Sequence, residues 1–493
     1  MLCEQFISLS ESHRADVALI HQDRAFSGRE IDDEARHLAD RLQSLGIGAG
    51  DRVAILLGNT PLFVTAMVAA MKLDASCVLL STHFRQMELS DAVARTGPAL
   101  LITTAVTTPR LEHLEFETDA HEFSSDLGLM RIRQARTPAK RALPDEAIIQ
   151  FTSGVSGRSK IVPRTAANLL HELINFADDL KLGSRDAVVC PAPLFHAYGL
   201  VNGFLLPFFV GATAIMIDWF VPNDVIDAVR QHRATVFVGV PTMYKALSET
   251  FGAEAGDLSS LRTCFSAGAP LTQNLRDKFR DRYALNIHQQ YGSTETGVIA
   301  LNLQPAKHVN SSSVGYALSG SEIRIVKNGQ TVAPGEEGEV IVRSLGSATQ
   351  YLDDPELTAQ KFRNGWYHTG DTGKVSASGG ELQLVGRLSS LINVAGLKVD
   401  ANEVEAALRG CDAVAECAVV GIPDPSTGHD LVKAFVIARR ETSRRELLAF
   451  CRPRLAAYKL PRQVEFVESL PKSATGKILV KYLLGKESPQ GTN

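Results

Sequence analysis

Ala147-Ile148-Ile149 leads into Thr152-Ser153-Gly154-Val155-Ser156-Gly157-Arg158-Ser159-Lys160, and the character of the whole chain follows from how this stretch is read. The apolar run enters like a buried strand. Beyond the loop, Leu169, Leu173, Phe176 and Leu180 recur at helical spacing, with Thr165 in the capping place. Two glycines let backbone N–H groups approach an anion, the hydroxyls add donors, and Lys160 adds a mobile positive charge. A strand, loop and helix of this kind suits phosphate, although an ordinary turn uses the same residue types. It is not the common NTPase loop, because no Gly-Lys-Ser/Thr ending follows the required glycine spacing.

The chain has 493 residues, 45% hydrophobic and 22% charged, which is enough for two or more cores and is the profile of a folded enzyme rather than a disordered chain. A formal net charge of -4 leaves no basic excess for nucleic acid. Seven cysteines without a C-x-x-C pair argue against a zinc site and a disulfide framework. Glu4, His13 and Arg14 precede any long apolar stretch, so no secretory signal is legible and the cytoplasm is the expected compartment. Gly199 to Ile217 is nearly long enough to span a bilayer, but Pro207 and Gly211 divide it into a helical piece, Leu200 to Leu206, and a strand-like piece, Ala214 to Ile217. Buried core is the expectation, with no membrane span.

Strand-like and helical runs alternate through Arg52 to Leu57, Leu62 to Leu73, Cys77 to Leu80, Met87 to Arg95 and Leu100 to Thr103, which predicts parallel sheets covered by helices. Between 310 and 345, Glu322 to Val326, Gln330 to Val332 and Glu339 to Val342 are separated by Asn328-Gly329 and Pro334-Gly335, the signature of antiparallel hairpins. After Arg387 a compact tail follows: strand Leu391 to Val394, helix Asn402 to Leu408, strands Cys417 to Gly421 and Val432 to Ile437, and helix Arg444 to Leu455. Asp400 stands as cap of its first helix, with Glu403 three residues on and Gly410 at its end. The expected fold is α/β: a large N-terminal domain of parallel sheets flanked by helices with a β-rich subdomain (1–387), then a small α+β C-terminal domain (388–493).

Four further clusters carry chemistry. In Gln290-Tyr291-Gly292-Ser293-Thr294-Glu295-Thr296 an aromatic ring could cover a nucleobase, Thr294 could meet a phosphate, and Glu295 could hold Mg²⁺; a turn into the next element is the plainer reading. Asp371, in Tyr367-His368-Thr369-Gly370-Asp371, could accept both hydroxyl protons of a ribose, or be an exposed loop carboxylate. Arg387 offers a forked donor near the domain joint, or a surface charge. Lys477, in Pro471-Lys472-Ser473-Ala474-Thr475-Gly476-Lys477, rides a glycine-flexed loop able to swing toward a distant site, though a lysine near a terminus is usually just solvated.

In this order the clusters resemble the adenylate-forming (ANL) superfamily, which includes acyl- and aryl-CoA synthetases, carrier-loading adenylation domains and firefly-type luciferases. Pro193-Leu194-Phe195-His196, Val238 to Thr242, Ser266-Ala267-Gly268-Ala269-Pro270-Leu271 and Gly338-Glu339-Val340 extend the resemblance over nearly the whole chain. The resemblance implies that a carboxylate attacks the α-phosphate of ATP, pyrophosphate leaves, and a thiol then takes the acyl group from the adenylate. By the same resemblance Lys477 bridges carboxylate and α-phosphate, and Glu295 ligates Mg²⁺ beside Thr294. Thr152, Ser153, Gly154, Val155, Ser156, Gly157 and Lys160 form a mobile phosphate loop. Gly268, Ala269 and Tyr291 make the adenine slot, Gln290, Gly292 and Ser293 join the cofactor-binding set, and Asp371 with Arg387 binds ribose. The C-terminal domain would be a mobile lid, bringing Lys477 for adenylation and a Gly396-Leu397-Lys398 thiol channel for transfer.

The chain departs from the family at several positions. Ser159 stands where proline is usual, Ile161 where glycine is usual, Val155-Ser156 where two threonines are common, and Ser389 at the hinge where aspartate or lysine is commoner; Ala401 replaces a usual proline, and arginines are missing after Lys477. A β-branched residue disfavours positive φ, so Ile161 requires the loop to leave in extended geometry. His196 occupies the place where amino-acid-activating relatives carry aspartate, which disfavours an α-amino acid; the histidine lines a carboxylate pocket or packs in the core. Small walls at Val240, Gly268, Gly292 and Val298 suit an aryl or medium-length fatty acid. The expected enzyme is an acid–CoA ligase using ATP, Mg²⁺ and CoA. The alternatives are an acyl-AMP ligase loading the phosphopantetheine thiol of a separate carrier protein, and a nucleotide-binding protein without turnover.

Overall fold

The computed structural model describes residues 17–105, 111, 113–114, 116, 121–136, 139–152, 159–269, 271–303, 313–377, 380–387, 391–424 and 429–471. The chain divides into two compact units. One holds the described residues of Met1–Thr82, Ala92–Phe151 and Ile161–Leu388; the other holds those of His83–Asp91, Thr152–Lys160 and Ser389–Asn493.

In the first unit, strands Leu100–Thr103, Arg52–Ile55, Ser76–Leu79 and Glu146–Thr152 pair in parallel in that order. Their side chains are nearly all buried, as strands covered on both faces must be. The sheet has seven strands, with Lys160–Thr165 at one edge and the antiparallel pair His121–Ser125 and Gly128–Gln134 at the other. A buried charge pair pins its centre. Arg52 donates from Nε and Nη2 to the two carboxylate oxygens of Glu146 at 2.8 and 2.7 Å, and Ser76 Oγ donates to Glu146 at 2.7 Å. Each buried charge is therefore compensated by geometry as well as by sign.

The second sheet places Ile287–Ser293, Thr263–Ser266, Val236–Gly239, Ala187–Cys190, Thr213–Met216 and Val17–His21 side by side in parallel. It continues through Gly297–Leu301 into the expected antiparallel strands, where Ser321–Lys327 pairs with Gln330–Thr331 and Gly338–Ser344. Helices Gly28–Ser44, Pro61–Lys72 and Ala166–Leu180 share one apolar core with both sheets. Thr165 caps the last of these as the sequence predicts, accepting from Asn168 N at 3.1 Å. Ile161, fully buried, lies in the extended strand Lys160–Thr165.

The apolar segment 199–217 is buried, and among the described residues no helix is long and apolar enough to cross a membrane. Pro207 does not end its helical piece. The helix runs Ala197–Leu200, widens to a π turn over Val201–Leu205, and continues Leu206–Val210 until Gly211 at φ 72°. The wider turn makes room for a ring that lacks an N–H. The strand piece is Thr213–Met216.

The second unit contains the hairpin Leu391–Val394 with Leu397–Asp400, the helix Ala401–Arg409, and a sheet in which Val414–Pro423 pairs antiparallel with Asp430–Ala438 and the latter parallel with Gln463–Phe466. Two local expectations are corrected. The helix expected to reach Leu455 spans Arg444–Cys451: Arg452 keeps helical angles (φ -54°, ψ -40°), but Pro453 has no N–H to extend the ladder to the Ala449 carbonyl. Glu403 does not reach back to cap its helix: its Oε1 accepts Lys459 Nζ at 2.6 Å, while its buried Oε2 has no hydrogen-bond partner among the described residues. Lys459, 2% exposed, also donates to Glu88 at 2.7 Å. Burial opposes the ammonium, but Tyr458, Glu403 and Glu88 outweigh it and raise its pKa.

Candidate active site

In the first unit, the sequence-predicted residues collect at one edge of the second sheet. Ala187–Cys190, Val236–Gly239, Thr263–Ser266 and Ile287–Ser293 are consecutive neighbours, all parallel. His196 follows the first, Val240 the second, Gly268 (φ 81°) and Ala269 the third, and Gln290 to Ser293 end the fourth. Segments leaving the carboxyl ends of adjacent parallel strands form the crevice in which open α/β sheets bind ligands. Tyr198 Oη braces this edge, donating to the carbonyls of Gly239 at 3.0 Å and Phe265 at 3.3 Å. Burial raises its pKa well above the usual phenol range, so it stays a neutral donor. His196 is half-buried, its ring centroid 4.6 Å from that of Phe195.

Tyr291 sits in a strand, not a loop, and Asp371 likewise lies in the strand Trp366–Val375 instead of on an exposed loop. The two meet: Tyr291 Oη donates to Asp371 Oδ2 at 2.7 Å. Asp371 is register partner to Arg387, whose backbone continues the antiparallel ladder. A bulge falls between Tyr291 and Gly292, and a Cβ at Gly292 would collide with the Gly297 carbonyl, so this turn needs glycine. Gln290 is buried and its Oε1 has no hydrogen-bond partner among the described residues. Val298 opposes Gly292 across the hairpin.

The turn Ser293 to Thr296 is locked by its own side chains, with Ser293 N donating to Thr296 Oγ1 at 3.1 Å and Thr296 N to Ser293 Oγ at 3.3 Å. It carries Thr294, half-buried, and Glu295, 4% exposed. Tyr351 Oη donates to Glu295 Oε1 at 2.8 Å and lies 3.3 Å from Tyr367 Oη. Burial, then the Glu295 charge, pushes the Tyr351 phenol far up, so it remains protonated and donating.

In the second unit, Thr152 ends one strand and Lys160 begins the next. Gly396 (φ 89°), Leu397 and Lys398 form the turn and start of the second strand of the tail hairpin, with Gly396 N donating to Asn393 Oδ1 at 2.9 Å. Ser153, Gly154, Val155, Ser156, Gly157 and Lys477 lie outside the described residues, as does the Arg387 side chain.

Sequence reasoning gave no role to Tyr198 or Tyr351, nor to the buried pair Arg164 and Glu172, whose Nη2 and Oε2 lie 2.7 Å apart. Only Glu172 left a trace, a carboxylate on the apolar face of its helix between Leu169 and Leu173. Among the described residues six buried cysteines form no disulfide, and burial pushes Cys190 up to about 12, so its thiol is no ready nucleophile.

The chain belongs to the AMP-binding enzyme family, whose pattern matches residues 8–352, with its C-terminal domain matching 403–477. It is similar to a feruloyl-CoA synthase of an Amycolatopsis species, 35% identical over 94% of both chains. It is also similar to the 2-succinylbenzoate–CoA ligase of Bacillus velezensis, 33% identical over 94% of this chain and 93% of the relative. The o-succinylbenzoate CoA synthetase of Bacillus subtilis, solved with a product analogue, superposes with a TM-score of 0.85 at 26% identity, covering 97% of this chain and 98% of its own. The protein is thus an ATP-dependent, AMP-forming acid–CoA ligase.

Proposed function

We infer that this ligase activates an aryl carboxylic acid as its acyl-adenylate and passes the acyl group to CoA, with Asp371 holding ribose, Tyr291 covering adenine and Glu295 holding Mg²⁺. The reading is carried by one observation: four adjacent parallel strands end in the segments bearing His196, Val240, Gly268 and Tyr291. Two similar proteins, by their names, put aryl-bearing acyl groups on CoA, which favours an aryl over a fatty acid.

In the first step a carboxylate oxygen bonds to the α-phosphorus as the bond to pyrophosphate breaks. His196 and the small walls Val240, Gly268, Gly292 and Val298 would seat the acid. Lys477 and Lys160 would bring positive charge to the phosphates, with Thr152 to Gly157 enclosing them; fixed charge aimed at phosphate oxygens is the main device for this chemistry. The donor set suits Mg²⁺. Among the described residues no group of three or more His, Cys, Asp or Glu could hold a metal, and Mg²⁺ takes one or two carboxylates with substrate phosphates and water. Glu295 supplies one such carboxylate, and the ion would offset charge on the phosphates. In the second step the CoA thiol, entering past Gly396, Leu397 and Lys398, displaces AMP.

Acid-dependent ATP–pyrophosphate exchange, screened over ferulate, 2-succinylbenzoate and medium-length fatty acids, tests the first step; CoA-stimulated AMP release tests the second. Exchange with aryl acids and AMP release on CoA are expected. Exchange with fatty acids alone would overturn the aryl assignment, and release only with a phosphopantetheinyl carrier would move the acceptor to that thiol. No exchange with any acid would leave a nucleotide-binding protein without turnover.

A further inference from the structure

Arg164 and Glu172 form a buried ion pair, 0% and 3% exposed, with Arg164 Nη2 donating to Glu172 Oε2 at 2.7 Å. Neither residue belongs to the segments that resemble the family motifs. The same Nη2 donates to the carbonyl of Gly346 at 2.7 Å, and Glu172 Oε1 accepts Val298 N at 2.9 Å. Ala348 N then donates to the backbone carbonyl of Glu295 at 2.7 Å. The bonds close a ring: Arg164 to Gly346, along the chain to Ala348, across to Glu295, along the turn to Val298, and back through Glu172.

The ring encloses the turn that carries Glu295. A Cβ at Gly297 (φ 66°) would run into the Glu172 carboxylate, so the turn is seated directly on that group. Arg164 Nε and Nη1 have no hydrogen-bond partner among the described residues, so Glu172 and the Gly346 carbonyl take all the bonds this buried cation makes there. A charged brace is an expensive way to fill a core, because each ion must be desolvated and an apolar pair of equal volume packs as well. What the charges add is direction: two fixed carboxylate oxygens, one on the arginine and one on the Val298 amide.

We propose that Arg164 and Glu172 are positioning residues that set the aim of Glu295, and through it the site's affinity for the divalent cation accompanying ATP. The proposal rests on Glu295 being the cation's ligand, as read above. Groups that orient a metal-ligating carboxylate typically change metal affinity 10- to 100-fold when removed.

The test is calorimetric ATP binding to the full chain with and without Mg²⁺, alongside acid-dependent exchange by the wild type. The double variant Arg164→Met/Glu172→Gln leaves no lone buried charge and keeps an acceptor for Val298 N; Glu172→Gln alone is the second variant, should the double one not fold. The expected result is that Mg²⁺ tightens ATP binding to the wild type and that this tightening shrinks roughly tenfold in the variant, with ATP affinity in the absence of Mg²⁺ retained. Equal weakening with and without Mg²⁺ means structural support only and overturns the proposal, as does an unchanged Mg²⁺ effect in a folded variant. Either result beside normal wild-type exchange sinks the positioning role alone. Absence of exchange and of ATP binding in the wild type sinks the ligase reading too.

Discussion

Tyr291 donates its phenol proton to Asp371 across 2.7 Å, joining two strands that are 80 residues apart in the chain. The contact orients the carboxylate proposed above to hold the ribose. Tyr291→Phe keeps the ring and removes the bond. A hydrogen bond to a charged acceptor contributes about 1.5–3 kcal/mol, so the KM for ATP should rise roughly tenfold or more, with a smaller change in kcat. Steady-state kinetics with ATP as the varied substrate decide it; a fall in kcat at constant KM contradicts this role.

Glu295→Gln should reduce exchange by roughly a hundredfold or more, the size seen when a fixed electrostatic group is removed from a reaction centre. Tyr351→Phe removes the 2.8 Å bond that aims Glu295, together with the 3.3 Å contact to Tyr367 Oη, but leaves the carboxylate itself, and a loss of about tenfold is expected. The ranking is the test: equal losses would mean Tyr351 does more than orient the carboxylate.

Lys459 compensates two carboxylates at once, Glu88 and Glu403, inside the second unit. Lys459→Met strands both and should cost about 3–5 kcal/mol, read as a lower urea midpoint. An unchanged midpoint would show that the carboxylates are solvated in solution.

Stability should fall in acid in part through Asp186. Burial pushes its carboxyl up, but the forked bonds from Arg262 at 2.9 and 2.8 Å, with Thr235 Oγ1 and Gly183 N, outweigh it and hold its pKa below the ordinary value. A carboxyl depressed by folding stabilises above its unfolded pKa and loses that contribution as pH falls through the folded one. Because Arg262 is partly solvated, about 1 kcal/mol is expected at neutral pH. Asp186→Asn should therefore be less stable than the wild type near neutrality, and the gap should close on acidification below the usual carboxylate range. A gap independent of pH would assign the loss to packing.

Much of the candidate site was legible because its residues are packed into short motifs. Tyr291, Glu295 and Asp371 each stood out beside glycines and hydroxyls that only a turn or a ligand would require, and the capping place of Thr165 was written in local spacing. Legibility failed where a residue acts through a distant partner. Glu403 looked like a capping residue because Asp400 lies three positions before it, yet Lys459, 56 residues on, holds it instead. Pro207 looked like a break, but a wider helical turn absorbed it.

Alone, the order of residues determined the alternation of strand and helix, the antiparallel character after residue 310, and the family to which the motifs belong; periodicity, turn chemistry and motif are properties of neighbours in the chain. Tertiary structure alone decided that Asp371 lies under Tyr291, that Tyr351 aims Glu295, and that Arg52 and Arg164 are neutralised within the core by Glu146 and Glu172. The physical reason is that a buried charge is tolerable only where an opposite one is delivered at bonding distance, and that delivery depends on strand order and register, which no local pattern encodes.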